Sequence, residues 1–219
     1  MLHSVIMSGT RSRRDERKQE TRQELLASAA AVFAEDGFAG ASLERIARGA
    51  GFTTGAIYWH FGGKDDLFLA VFEEYALMRV GELSTVHAGS GEGLAARGRA
   101  LADQWMHRQA RDPRMVVVTL EFAAHALRVP RLREELATRL AAVRLAVGRM
   151  IEEDAREAGV ELPMPAQQLA TVLRELGVGL AIAQLVDPDA VPEELYGDFV
   201  EMFYGLVSSA NRPAEEIDT

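Results

Sequence analysis

The side chains spaced for recognition chemistry in this 219-residue chain are concentrated in Ala41–Lys64, ASLERIARGAGFTTGAIYWHFGGK. Four small residues, Thr53, Thr54, Gly55 and Ala56, precede Ile57 and then a row of Tyr58, Trp59 and His60. Successive helical residues are turned by about 100°, so those three cannot share one face. Ile57 and Phe61, four apart, would turn toward a core and leave the phenol, indole and imidazole toward solvent or a ligand. The small residues let the backbone come close to that ligand. A second short helix after a glycine-containing bend is the helix-turn-helix pattern. In it the first residues of the second helix reach base edges in the major groove of DNA.

The flanking residues supply the frame. Ser42 can cap the first helix by accepting from a free N–H one turn on, and Glu44 puts negative charge in the first turn, where the dipole favours it. Arg45 stands where a capping box has Glu or Gln, so the box is incomplete. Leu43, Ile46 and Ala47 make one apolar stripe. Gly49-Ala50-Gly51 gives the bend its backbone freedom. Thr53 or Thr54 caps the second helix, which runs to about Phe61. Lys64 opens a further helix at its positive end, the wrong sign for the dipole. That placement suits a lysine that meets a phosphate beside a helix N-terminus; the plainer alternative is a solvated lysine.

In spacing and register, TTGAIYWHFGGKDDL resembles the recognition helix and following turn of the TetR family of bacterial transcriptional repressors. SLERIARGAGFTTGAIYWHF is especially similar to the branch that controls multidrug efflux pumps. The resemblance covers roughly residues 21–72. Gly62-Gly63 departs from the Pro or polar residue common before the lysine. The resemblance implies that Thr53, Thr54, Gly55, Ala56 and Trp59 face bases or their edges, and that Ser42, Tyr58, His60 and Lys64 hold phosphates. Local packing is the alternative for Tyr58 and Trp59.

Net charge is −9, yet residues 1–64 hold 9 Lys+Arg against 7 Asp+Glu, while residues 65–219 hold 15 against 26. The halves are therefore +2 and −11, as expected for a DNA-facing N-terminal part and an acidic body held off the phosphates. Residues 1–13 read as a disordered tail. Arg11, Arg13, Arg14, Arg17 and Lys18 are either a solvated helix start or an arm on phosphates or the minor groove. Helix one runs from about Arg14 to Glu35 on a stripe of Leu25, Leu26, Ala29, Ala30 and Phe33, with Gly37 as a left-handed C-terminal cap. Residues 14–63 make the DNA-binding domain and 64–91 a connecting helix and loop, with a flexible loop over Gly81–Gly93.

Residues 92–211 read as a second, all-helical domain for ligand binding and dimerisation, bringing the all-α chain to about nine helices. Leu94, Gly98, Leu101 and Trp105 share a face. Asp112 reads as N-cap and Pro113 as first helical residue. The next helix is apolar nearly all round except for Glu121 and His125, four apart. That pair fits three readings: a satisfied structural pair or exposed edge, polar groups in a pocket, or metal ligands lacking a third partner. A long helix over 131–158 stops at Gly159. Helices at 166–186 and 192–210 carry more apolar surface than one neighbour needs. That surface is either intrachain core or a four-helix interface with a second copy, and the resemblance implies the homodimer.

There is no cysteine, so disulfides and thiolate chemistry are excluded. No unbroken run of about eighteen apolar residues occurs, which argues against a membrane span and for a cytoplasmic protein. No nucleotide-binding glycine loop, H-E-x-x-H or serine elbow is present, so an enzyme, a cofactor and a metal are not expected. The expectation is a ligand-responsive repressor released by a small hydrophobic or aromatic effector. The resemblance places a cavity in residues 92–158, with Trp105, Met115, Glu121, Phe122 and His125 as candidates. The competing reading is a DNA-binding regulator, an activator included, with no small-molecule sensor.

Overall fold

The computed structural model describes residues 13–89 and 93–211. Among them are nine α-helices, one short 3-10 turn and no strand. The chain divides into two compact units, Met1–Val71 and Phe72–Thr219.

The first unit holds α1 (Arg13–Gly40), α2 (Leu43–Gly49), α3 (Thr54–Phe61) and the start of α4 (Lys64–Gly89). Leu25, Leu26, Ala29, Val32 and Phe33 from α1 are buried with Ile46 and Ala47 from α2, Ile57 from α3 and Phe68 from α4. At the centre the Phe33 ring meets Phe68 edge-on at 5.1 Å and stacks on Phe38 at 6.0 Å. Helix α1 does not end in a left-handed cap. Gly37 has φ 72° and ψ 172°, an extended glycine-only conformation, and one more helical turn follows it. That kink turns Phe38 inward and lets Gly37 O accept from Ala41 N at 3.2 Å. Ser42 caps α2 by accepting from Arg45 N at 3.1 Å. Arg45 has a different partner set from a capping-box Glu: it reaches back to pair with Glu35 and Asp36 of α1. A Cβ at Gly49 would lie 2.5 Å from Ser28 Oγ, which donates to the Ile46 carbonyl at 2.8 Å, so a larger residue there would disturb that link between α1 and α2.

The second unit continues α4 and adds α5 (Leu94–Arg111), α6 (Pro113–Ala126), α7 (Pro130–Ala158), α8 (Ala166–Val186), a 3-10 turn (Pro188–Ala190) and α9 (Leu195–Ala210). The loop expected over Gly81–Gly93 is helical as far as Gly89, and residues 90–92, like the tail over 1–12, lie outside the described residues. Gly81, Ser84 and Gly89 lie within that helix, whose continuation overrides their weak propensity. Helices α5 and α9 pack tightly: a Cβ on Gly98 would meet the Tyr204 ring at 2.5 Å, and one on Gly197 would strike Asp103. Arg99 of α5 crosses to Asp198 and Glu201 of α9. Helix α7 ends at Gly159 in the left-handed conformation, φ 65° and ψ 31°.

Three local expectations change. Asp112 precedes α6 with Pro113 at the first position, but its side chain makes no capping bond. Helix α6 is not buried all round: Met115, Val116, Val118 and Phe122 are buried, whereas Val117, Leu120 and Leu127 are exposed. Helix α8 is long and apolar enough, by length and composition alone, to cross a membrane. Its Arg174 and Glu175 pair with each other at mid-length, and Leu169, Ala170 and Ala181 are buried within the unit.

Candidate nucleic-acid interface and cavity

Helix α3 buries one residue completely, Ile57. Around that anchor Thr53, Gly55, Tyr58 and Trp59 are exposed, and Thr54, Ala56 and His60 are half-buried. Tyr58 is 58% exposed and Trp59 65%, so neither is held there by a core. Phe61 is only half-buried, because α3 ends one residue later in Gly62, at φ 90°, and the Arg22 guanidinium covers its ring at 5.2 Å. Thr53 sits at the N-cap with extended backbone, but its hydroxyl makes no capping bond.

The α1 side of this surface is basic. Arg14, Arg17, Lys18 and Thr21 border an open cleft whose other wall is Trp59 and His60. Lys18 Nζ lies 4.9 Å over the Trp59 ring, a cation–π contact, and the His60 ring meets Trp59 edge-on at 4.5 Å. Burial first, then Lys18 and Arg22, holds the His60 pKa below the usual 6.5, so this imidazole is neutral at pH 7. A phosphate oxygen beside it would favour the charged form, so binding would take up a proton. Operator affinity is therefore expected to rise severalfold as pH falls from about 8 to about 6, and His60→Gln to flatten that response. Equal pH profiles for the two proteins, measured by anisotropy of a labelled duplex, would remove His60 from the interface.

Lys64 already has partners within the first unit. Its Nζ donates to the Ala39 carbonyl at 3.0 Å and lies 5.0 Å over the Phe38 ring, tying the start of α4 to the end of α1. Ser42 is exposed, and its oxygen is already engaged as the α2 cap.

The second unit contains a cavity of about 220 Å³ lined by α4, α5, α6, α7, α8 and α9. Trp105 and Met115 line it, and so do Leu94, Gly98 and Leu101. Glu121, Phe122 and His125 do not: Glu121 is exposed, Phe122 is buried outside the lining, and His125 packs against Phe122 at 6.2 Å. The 3.6-residue repeat turns Glu121 and His125 away from the Met115–Thr119 side, whereas Phe122, two turns on from Met115, shares its face but is buried beyond the lining. Among the described residues no cluster of three metal-ligating side chains occurs. Sequence reasoning missed Gln109, Arg144 and Asp154, which also line the cavity. Their signal was weak: one polar residue in the apolar stripe of α5 and two, ten residues apart, in that of α7.

Residues 25–71 match the family model for bacterial regulatory proteins of the tetR family, and residues 94–203 match that for the BetI-type transcriptional repressor C-terminal region. The chain is 34% identical over 188 residues to the HTH-type transcriptional repressor AcnR of Corynebacterium jeikeium, spanning 83% of this chain and 90% of that one. It is 48% identical over 65 residues to the HTH-type transcriptional regulator AcrR of Shigella flexneri, a match spanning only 30% of that relative's length. Among solved structures, a putative transcriptional regulator from Pseudomonas aeruginosa PAO1 superimposes with a TM-score of 0.69 at 20% identity, over 94% of this chain and 95% of that chain. FadR of Bacillus subtilis, solved in complex with stearoyl-CoA, does so with 0.67 at 16% identity, over 85% and 97%. Those two likenesses concern the fold. The two family models and the near full-length likeness to AcnR place this chain in the TetR family of transcriptional regulators, proteins with a helix-turn-helix DNA-binding domain and no enzymatic activity.

Proposed function

We propose that the protein is a cytoplasmic, ligand-responsive repressor that binds a two-fold operator as a homodimer and is released by a small hydrophobic effector. The observation that carries this reading is the α3 surface: small residues at its start, Tyr58 and Trp59 exposed beside them, and a basic cleft on the α1 side. Thr53, Thr54, Gly55, Ala56 and Trp59 address the bases. Ser42, Tyr58, His60 and Lys64 address phosphates, Lys64 by exchanging the Ala39 carbonyl for a phosphate oxygen. Residues 14–63 form the DNA-binding domain, 64–91 the connection and 92–211 the sensing and dimerisation domain.

The pairing surface is supported by apolar side chains left open on the last two long helices. Leu195, Phe199, Met202 and Leu206 recur at helical spacing along α9, and Val172, Leu185 and Val186 are exposed on α8. A second copy covers these strips, and the dimer sets two α3 helices one DNA turn apart, about 34 Å. Effector binding shifts the population toward a spacing that no longer fits. Helix α4, which belongs to both units, carries the change. Repression is supported by the AcnR relative, and small-molecule control by the ligand in the FadR structure. A regulator without a sensor would be expected to fill its second unit, so the open cavity favours the sensor reading.

The test is binding to duplexes tiled across the flanking intergenic DNA over a salt series. One protected two-fold site, lost steeply with salt, is expected. Tyr58→Ala is expected to weaken every duplex by about 1 kcal/mol. Lys64→Ala should lower the salt slope by about 1. Unchanged affinity in both variants would withdraw the phosphate roles.

A further inference from the structure

The cavity wall is apolar apart from a few side chains, and their partners sort them. Thr119 donates to the Met115 carbonyl at 2.7 Å, and the Tyr196 hydroxyl to the Leu173 carbonyl at 2.8 Å. Asp154 accepts from Arg97 Nη1 at 2.7 Å, so its charge is neutralised in place. Arg174 pairs with Glu175. Two lining side chains differ. Gln109 is only 7% exposed, and its amide makes no hydrogen bond among the described residues. Arg144 makes no ion pair there either. Arg97 and Gln109 are twelve residues apart, roughly 18 Å along α5, and Arg144 and Asp154 ten residues, roughly 15 Å along α7. The Arg97–Asp154 pair therefore leaves both groups uncompensated.

A buried amide without partners is costly, and a guanidinium on an apolar wall attracts an anion. We propose that the cavity takes a small hydrophobic carboxylate, an aryl or short acyl acid, with Arg144 and Gln109 meeting the carboxylate and the apolar wall covering the rest. Size limits the ligand as well. A cavity of 150 Å³ holds benzene, so 220 Å³ accommodates one ring with a short acid arm. Trp105, Tyr75 and Phe72 supply the flat apolar surface for such a ring.

This inference rests on the cavity being the effector site, so binding and operator release are measured separately. In a Trp59→Phe background, Trp105 fluorescence reports cavity occupancy. The probes are phenylacetate, phenylacetamide and phenethylamine, which share one ring and carry charges of −1, 0 and +1. Phenylacetate is expected to bind best, with Arg144→Met weakening it by about tenfold to a hundredfold and leaving phenylacetamide unchanged. Gln109→Leu should weaken both the acid and the amide. Equal binding of all three probes, preference for the amine, no binding of the acid at millimolar concentration, or an Arg144→Met loss shared by acid and amide overturns the carboxylate assignment. Acid binding that follows the expected pattern but leaves the operator complex intact overturns instead the sensor reading, and the carboxylate site stands.

Discussion

Phe199→Asp combined with Leu206→Asp is expected to leave a folded monomer that has lost operator affinity by about a thousandfold. The two residues lie seven apart on α9, two turns of one face, and are 38% and 62% exposed in the single chain. Neither contributes to the buried set of that helix, which is Tyr196, Gly197, Val200, Tyr204 and Val207. Placing carboxylates there costs the monomer little, whereas two like-charged strips facing each other across a two-fold axis cannot stay together. Two linked half-site contacts gain roughly 10²–10⁴ over one, and the monomer forfeits that factor. Sedimentation gives the assembly state and anisotropy the affinity. A double variant that stays dimeric would move the pairing surface elsewhere; one that is monomeric but binds normally would remove the need for a dimer.

The second large effect is in the first unit. Phe33→Ala deletes a fully buried ring at the junction of α1, Phe38 and α4. Large-to-small changes of this kind cost about 3–5 kcal/mol. A unit of this length is stable by only about 4–10 kcal/mol, so the DNA-binding part should lose a large share of its stability and unfold at markedly lower urea. Urea unfolding followed at Trp59 in a Trp105→Phe background measures the loss. A change below about 1 kcal/mol would show that the Phe33–Phe38–Phe68 cluster is not the centre of that core. Trp59 is read here as an optical reporter, and the companion circular-dichroism trace separates the two units.

The helix-turn-helix was legible because each of its features is local. Ser42 capping α2 and Ile57 as the anchor of α3 follow from residues within one or two turns. Gly51, at φ 76°, closes the bend where glycine was read as supplying it. The helix starting at Ala166 was equally plain, since Pro165 and Asp187-Pro188 bracket it. Contacts made to distant partners were not legible. Lys64 binds a carbonyl 25 residues away, and Arg45 binds carboxylates on the preceding helix. The cavity was the least legible feature, because its wall comes from six helices and only the register among them decides which polar residue faces inward. Glu121 and His125 stood out in the sequence as charges on an apolar helix, yet they mark its outer side. Gln109 and Asp154 did not stand out and are the buried polar and charged side chains among the described residues.

With the proposed pairing through the open strips on α8 and α9, the protein's endurance would be tied to its abundance. A chain whose apolar surface is completed by a second copy has no single melting temperature: every tenfold rise in protein concentration adds about 1.4 kcal/mol to the folded pair. Scarcity would then act twice, first by leaving operators vacant and again by exposing unpaired chains to proteases. The level of the regulator in the cell would fall off more steeply than its synthesis.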